Sequence, residues 1–244
     1  MSSPPVYTNR TGRPPGRSLR ALGVVLPGIA RVRAQAEPYA DAWLERTRAA
    51  AVAPGRRWVV LGDSMSQAIG ATGPDRGWVD QLLGRLGDAG DDLRVVNLSA
   101  TGARVPDVLD QQLPAWAALP PSRSPLPDLV TVMIGSNDLF SGARHRARLP
   151  GAMAELVARL PAGSVVTTLP QPRAAARQAN RHLDEAALRG HLRVVDLRTD
   201  GPSSWRGRLA ADFFHPNEAG YAAITDAFEP VVRSALRTSS RPST

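Results

Sequence analysis

The chain has 244 residues, 43% of them hydrophobic, which suffices for one α/β domain with a substantial core and an appended segment. It contains no cysteine, which excludes disulfides, zinc–thiolate sites and a cysteine nucleophile. All 30 basic residues are arginine, and the net charge of +8 sits mainly at the front: nine arginines against Glu37, Asp41 and Glu45 give residues 1–56 a charge of +6 and leave +2 for residues 57–244. The body of the chain is therefore not a basic nucleic-acid surface, and a basic tail of this kind is expected to be solvated.

In chain order, residues 1–18 are rich in Pro, Gly, Ser and Arg and are expected to lack fixed structure. The apolar run Ala21–Ala30 is too short for a membrane span. Arg17 and Arg20 before it and Ala34-Gln35-Ala36 after it resemble a weak secretory signal, with Arg31 and Arg33 against that reading. The expectation is a cytoplasmic protein, with secretion the alternative. Residues 38–52 form a helix with Tyr39 and Trp43 on one face, laid against the domain. The organisation expected is an extension over 1–56, a main domain over 57–237 and a disordered tail over 238–244.

From Arg57 onward, apolar runs at 58–61, 93–98, 129–134, 164–169 and 192–197 alternate with segments of helical spacing. Near-continuous apolar strands separated by helices predict a three-layer α/β/α sandwich on a five-stranded parallel sheet. In such a sheet, ligands gather at the carboxyl ends of the strands, where strand order reverses. The residues just after each strand are thus the ones to read.

After the first strand stand Gly62, Asp63 and Ser64; after the second, Ser99-Ala100-Thr101-Gly102; after the third, Gly135-Ser136-Asn137-Asp138. The last loop ends in Asp212-Phe213-Phe214-His215-Pro216, with Pro216 read as the first turn of the final helix. A serine hydroxyl needs a base to act as a nucleophile. His215 is the one histidine of four that falls on the same sheet edge, and Asp212 three residues earlier can fold back onto Nδ1. Candidate donors for a developing oxyanion are the Ser64 N–H, the backbone at Gly102 and the Asn137 side chain. Each element alone has an ordinary turn or cap reading; their conjunction, in order and after successive strands, points to acyl transfer.

These blocks resemble the SGNH hydrolases, also called GDSL-type esterases and lipases, over about residues 57–235. The resemblance implies a flavodoxin-like fold, hydrolysis without metal or cofactor, Ser64 as nucleophile with His215 and Asp212, and an oxyanion hole of Ser64, Gly102 and Asn137. Met65 stands where the family motif has Leu. Asp63 and Asp138 are read as carboxylates that fix loops near the site. Met65, Arg173 and Trp205 are candidate substrate-pocket residues. The expected ligand is a small ester, with no nucleic-acid partner. Two other readings stand beside this one: a metal-dependent hydrolase using Asp63, Asn137, Asp212 and His215 as ligands, and a non-catalytic module whose basic tail binds nucleic acid or anionic membrane.

Overall fold

The computed structural model describes residues 7–13, 27–90 and 92–239. Two helices come first, α1 (Pro27–Ala34) and α2 (Ala36–Val52). Strand β1 (Arg56–Gly62) leads through a 3₁₀ turn (Ser64–Gln67) to α3 (Trp78–Asp88) and β2 (Leu93–Asn97). Helix α4 starts at Val105–Asp107, widens to a π-helical turn over Val108–Gln112 and closes over Leu113–Ala117. Then follow β3 (Leu129–Met133), the short α5 (Ser136–Phe140), α6 (Ala143–Arg159), β4 (Val165–Thr167), α7 (Ala174–Leu188), β5 (Arg193–Val195) and α8 (Glu218–Ser239).

The five strands pair in parallel in the order β2-β1-β3-β4-β5. This is the doubly wound order whose switch point lies between the first and third strands. All seven residues of β1 are buried, because the sheet is covered on both faces. Side chains alternate across a strand. Val59 and Leu61 enter the layer built with α4, α6 and α7, while Trp58 and Val60 enter the layer built with α2, α3 and α8. Trp78 stacks on Phe228 in the second layer, with ring centroids 4.1 Å apart.

Helix α2 is part of this second layer. Trp43 is buried there, and its Nε1 donates to the Gln67 carbonyl at 3.3 Å. Thr47 reaches the outer strand, where its hydroxyl accepts from the Asn97 N–H and donates to the Asn97 carbonyl, each at 3.0 Å. Trp43→Ala is expected to cost about 3–5 kcal/mol in urea unfolding. A loss below about 1 kcal/mol, the size of a surface change, would separate α2 from the core.

Three sequence-based expectations are corrected. Residues 7–13 lie in the stretch read as unstructured, yet they pack on the domain: Asn9 is fully buried, and its Nδ2 donates to the carbonyls of Asn97 at 2.7 Å and Ser99 at 2.9 Å. Composition pointed to disorder, but buried hydrogen bonds to backbone carbonyls and the packing of Tyr7 on the core hold the segment in place. Pro216 precedes the last helix: it pairs with Leu209 in an isolated antiparallel bridge, and Asn217 caps α8 by accepting from the Gly220 N–H at 3.1 Å. Thr238, placed in the tail, belongs to α8 and accepts from Arg193 Nη2 at 2.9 Å. The rest of the expected unstructured stretch, residues 1–6 and 14–18, lies outside the described residues, as do 21–26 of the apolar run and 240–244 of the tail. Ile29 of that run, and Val32 just beyond it, are buried in α1. Among the described residues no helix is long and apolar enough to cross a membrane.

Candidate active site

The switch point places the end of β1 beside the end of β3, so Ser64 and Asn137 leave neighbouring strands at one edge of the sheet. Gly62 closes β1 at φ +155°, and a Cβ there would lie 2.5 Å from the Met133 carbonyl oxygen. Only glycine lets the chain turn this close to β3. Gln112, from the π-helical turn of α4, holds the same residue from above: its Oε1 accepts from the Gly62 N–H and its Nε2 donates to the Gly62 carbonyl, both at 2.8 Å. Asp63 then caps the 3₁₀ turn, its Oδ1 accepting from the Met65 N–H at 3.1 Å. Ser64 opens that turn, so the turn itself offers no acceptor for the Ser64 N–H.

Ser64 Oγ lies 2.9 Å from His215 Nε2, across 151 positions of sequence, and His215 Nδ1 lies 2.6 Å from Asp212 Oδ2. The Asp212 turn explains this reach. Its other oxygen accepts the backbone N–H groups of Phe214 at 3.1 Å and His215 at 3.0 Å, while Phe213 takes a left-handed conformation at φ +56°. The loop thereby folds back so that one carboxylate fixes both the backbone and the ring. Burial alone would raise the Asp212 carboxyl; the bonds from His215 and the two N–H groups outweigh it and hold the group below its ordinary range. Phe214 stands edge-on to the His215 ring, 5.0 Å between centroids.

Asn137, at the start of α5, donates through Nδ2 to the Ala103 carbonyl at 2.9 Å and lies 3.4 Å from Asp63 Oδ2. One amide proton is thus well engaged and the other only loosely. Ala103 follows Gly102, which sits at φ +78° on the loop after β2. Asp138 Oδ2 accepts the Val105 N–H at 3.0 Å and ties this loop to β3. Burial pushes the Asp138 carboxyl up to about 6 against that bond.

Burial likewise pushes Asp63 up to about 7, against the pull of the Met65 N–H and the nearby His215. The folded protein then keeps a proton that the unfolded chain releases near pH ~4. Over roughly pH 4 to 7 the folded state binds more protons, so this group's contribution to stability falls as pH rises. Asp63→Asn mimics the protonated side chain. Relative to wild type, it is expected to flatten the decline in urea midpoint between pH 4.5 and 7.5; an unchanged slope would show that Asp63 ionises in the folded state as it does in the unfolded one.

A cleft of about 270 Å³ reaches Met65, the residue after Ser64, and is lined further by Ser136, Leu169, Gln171, Leu197 and Trp205, while Ser64 and His215 themselves lie outside its lining. Met65 and Trp205 thus meet at the cleft. Arg173 does not line it: its guanidinium lies over the Phe140 ring, 5.3 Å from the centroid. Among the described residues, no three His, Asp or Glu side chains are grouped as metal ligands. Sequence reasoning missed Gln112, whose clamp on Gly62 is signalled only by the Gln-Gln pair in α4, and Gln67, which holds Thr101 from the turn after Ser64 through bonds of 2.8 and 2.6 Å.

A serine-bearing turn at the switch point of a doubly wound sheet, with a histidine–carboxylate pair brought to it by a late loop, is an arrangement suited to serine-dependent acyl transfer. The chain belongs to the GDSL-like lipase/acylhydrolase family, whose profile matches residues 60–223, and is a carboxylic ester hydrolase. It is 27% identical over 192 residues to Esterase TesA of Pseudomonas aeruginosa, covering 73% of this chain and 88% of that protein. A crystal structure of TesA superposes with a TM-score of 0.57 at 26% identity, over 74% of this chain and 99% of that one. A Clostridium thermocellum family 3 carbohydrate esterase shares the fold, with a TM-score of 0.60 at 18% identity over 75% of this chain and 98% of its own.

Proposed function

We propose that the protein hydrolyses small or medium acyl esters through an acyl-enzyme on Ser64. The observation that carries this reading is the continuous chain Ser64 Oγ–His215 Nε2–His215 Nδ1–Asp212 Oδ2, at 2.9 and 2.6 Å. Ser64 Oγ attacks the ester carbonyl as His215 Nε2 takes its proton. Asp212 holds the tautomer that leaves Nε2 free and stabilises the imidazolium. The tetrahedral oxyanion is met by the Ser64 N–H, the Gly102 N–H and the second amide proton of Asn137. His215 then protonates the departing alkoxide, and a water activated in the same way releases the acid.

The bond from Asn137 to the Ala103 carbonyl orients the amide without consuming both protons. Asn137→Ala is therefore expected to lower kcat by roughly 10²–10³-fold with KM little changed. A loss below about threefold would remove Asn137 from the oxyanion hole.

The cleft beside Met65 and Trp205, at about 270 Å³, lies just below the size range of small-molecule pockets, about 300–1,000 Å³. Acyl length is tested with p-nitrophenyl esters from acetate to decanoate, wild type beside Ser64→Ala. Turnover confined to the shorter members and lost in the variant supports the reading. Equal rates in the two proteins, or none on any ester, would overturn it.

A further inference from the structure

The loop after β2 carries Gly102, and its supports come from two sides. The domain itself holds the inner side: Asn97 Oδ1 accepts the Ser99 N–H at 3.0 Å, Gln67 Oε1 accepts the Thr101 N–H at 2.8 Å, Asn137 donates to the Ala103 carbonyl, and Asp138 accepts the Val105 N–H. The outer side is held by residues 7–13, which come from far upstream of the residues matched by the family profile, 60–223. Arg10 pairs with Thr101 in an isolated parallel bridge. Asn9, itself buried, presents its carbonyl to Gln67 Nε2 at 3.0 Å, the same side chain that holds Thr101. Arg13 is placed at the critical point. Its Nη2 donates to the Gly102 carbonyl at 3.0 Å, and its guanidinium grips the Asp107 carboxylate, with Nη1–Oδ1 at 2.7 Å. Asp107 in turn accepts the Arg104 N–H at 2.7 Å.

Arg13 therefore closes a ring around residues 102–104, bonded to the first through its carbonyl and to the last through Asp107. A guanidinium does this well because its donors form a rigid fork that serves two acceptors at once. We infer that the segment Tyr7–Arg13 is a strap that positions the oxyanion loop, with Arg13 as the positioning residue that fixes the Gly102–Ala103 peptide, the one directly after the peptide that carries the Gly102 N–H. This rests on the proposed role of Gly102. Arg13 acts through the backbone: by fixing the Gly102 carbonyl it sets the orientation in which the Gly102 N–H meets the oxyanion. Donor misplacement is felt in the transition state more than in the bound substrate, so the effect falls on kcat.

The test compares wild type, Arg13→Ala, Arg13→Lys and Arg10→Ala on p-nitrophenyl acetate, with Ser64→Ala as the blank. Arg10 has the same strap but directs its side chain to Glu37 and Asp41 on α2. Arg13→Ala is expected to lose roughly 10- to 10²-fold in kcat, the scale of a small misplacement of a reacting or stabilising group, with KM within about twofold. Arg13→Lys recovers part of the loss, since an ammonium reaches one partner but lacks the fork. Arg10→Ala keeps wild-type kcat. In glycine-labelled protein, the amide signal of Gly102 moves or broadens in Arg13→Ala and stays in Arg10→Ala. Wild-type kcat in Arg13→Ala overturns the inference while leaving ester hydrolysis intact. Should Arg13→Ala fail to fold, wild-type kcat in Arg13→Lys overturns it equally. If the wild-type protein hydrolyses no ester, the proposed function falls instead, and an unmoved Gly102 signal in the Arg13 variants then overturns the strap on its own.

Discussion

Ser64→Ala is expected to lower kcat on p-nitrophenyl acetate by on the order of 10⁶-fold, and His215→Ala by a comparable factor, with the double variant no slower than either alone. The reason lies in the contact between Ser64 Oγ and His215 Nε2 at 2.9 Å. Without the imidazole the hydroxyl keeps its proton, and without the hydroxyl the imidazole has nothing to activate. The two side chains act as one device, so their losses cannot add. Activity left in all three variants measures what the oxyanion donors and substrate binding supply by themselves. Losses that multiplied in the double variant would show two independent contributions and would sink the assignment of Ser64 and His215 to one proton transfer.

The second large effect is expected for Asp212→Asn, a fall in kcat of about 10⁴-fold. The substitution is chosen because the turn survives it. The oxygen that accepts the Phe214 and His215 N–H groups at 3.1 and 3.0 Å is retained in the amide. What changes is the group facing Nδ1, now an NH₂ donor where a carboxylate oxygen stood at 2.6 Å. The ring must then accept at Nδ1, which puts the proton on Nε2 and leaves it unable to take one from Ser64. A loss under about tenfold would leave Asp212 as a turn residue only.

Much of this arrangement was legible in the sequence. Buried parallel strands read as apolar runs, and β1, β2 and β3 fall where the runs at 58–61, 93–98 and 129–134 place them. β4 and β5 are shorter than their runs, three residues each, because the chain leaves the sheet at Thr168 and Asp196 and these two residues bond side chain to side chain at 2.9 Å. Ser64, Asn137, Asp212 and His215 could be singled out as candidates because each stands just after a strand or in a short motif whose chemistry requires that residue type. The supports were not found. Gln112 reaches Gly62 across 50 positions and Arg13 reaches Gly102 across 89. A side chain that binds a distant backbone carbonyl leaves no periodicity and no local spacing, so composition classed the strap with a solvated tail. Pro216 was misplaced for a related reason: its pairing with Leu209 is decided by the fold, while the proline alone looks like a helix start.

The contact of Thr47 with Asn97 has a consequence for how the molecule behaves in company. β2 is an outer strand of the sheet, and its outward N–H and C=O groups are a template on which another chain could add a strand. The Thr47 hydroxyl occupies both groups of Asn97, and the Asn9 amide and the Tyr7 hydroxyl cover the carbonyls of Asn97 and Leu98 beyond it. The residues before β1 thus keep this border of the sheet from being shared. A fragment that begins at Arg56 would keep β1 whole but expose this border, and its first failure in solution would be self-association along β2 before any question of turnover arose.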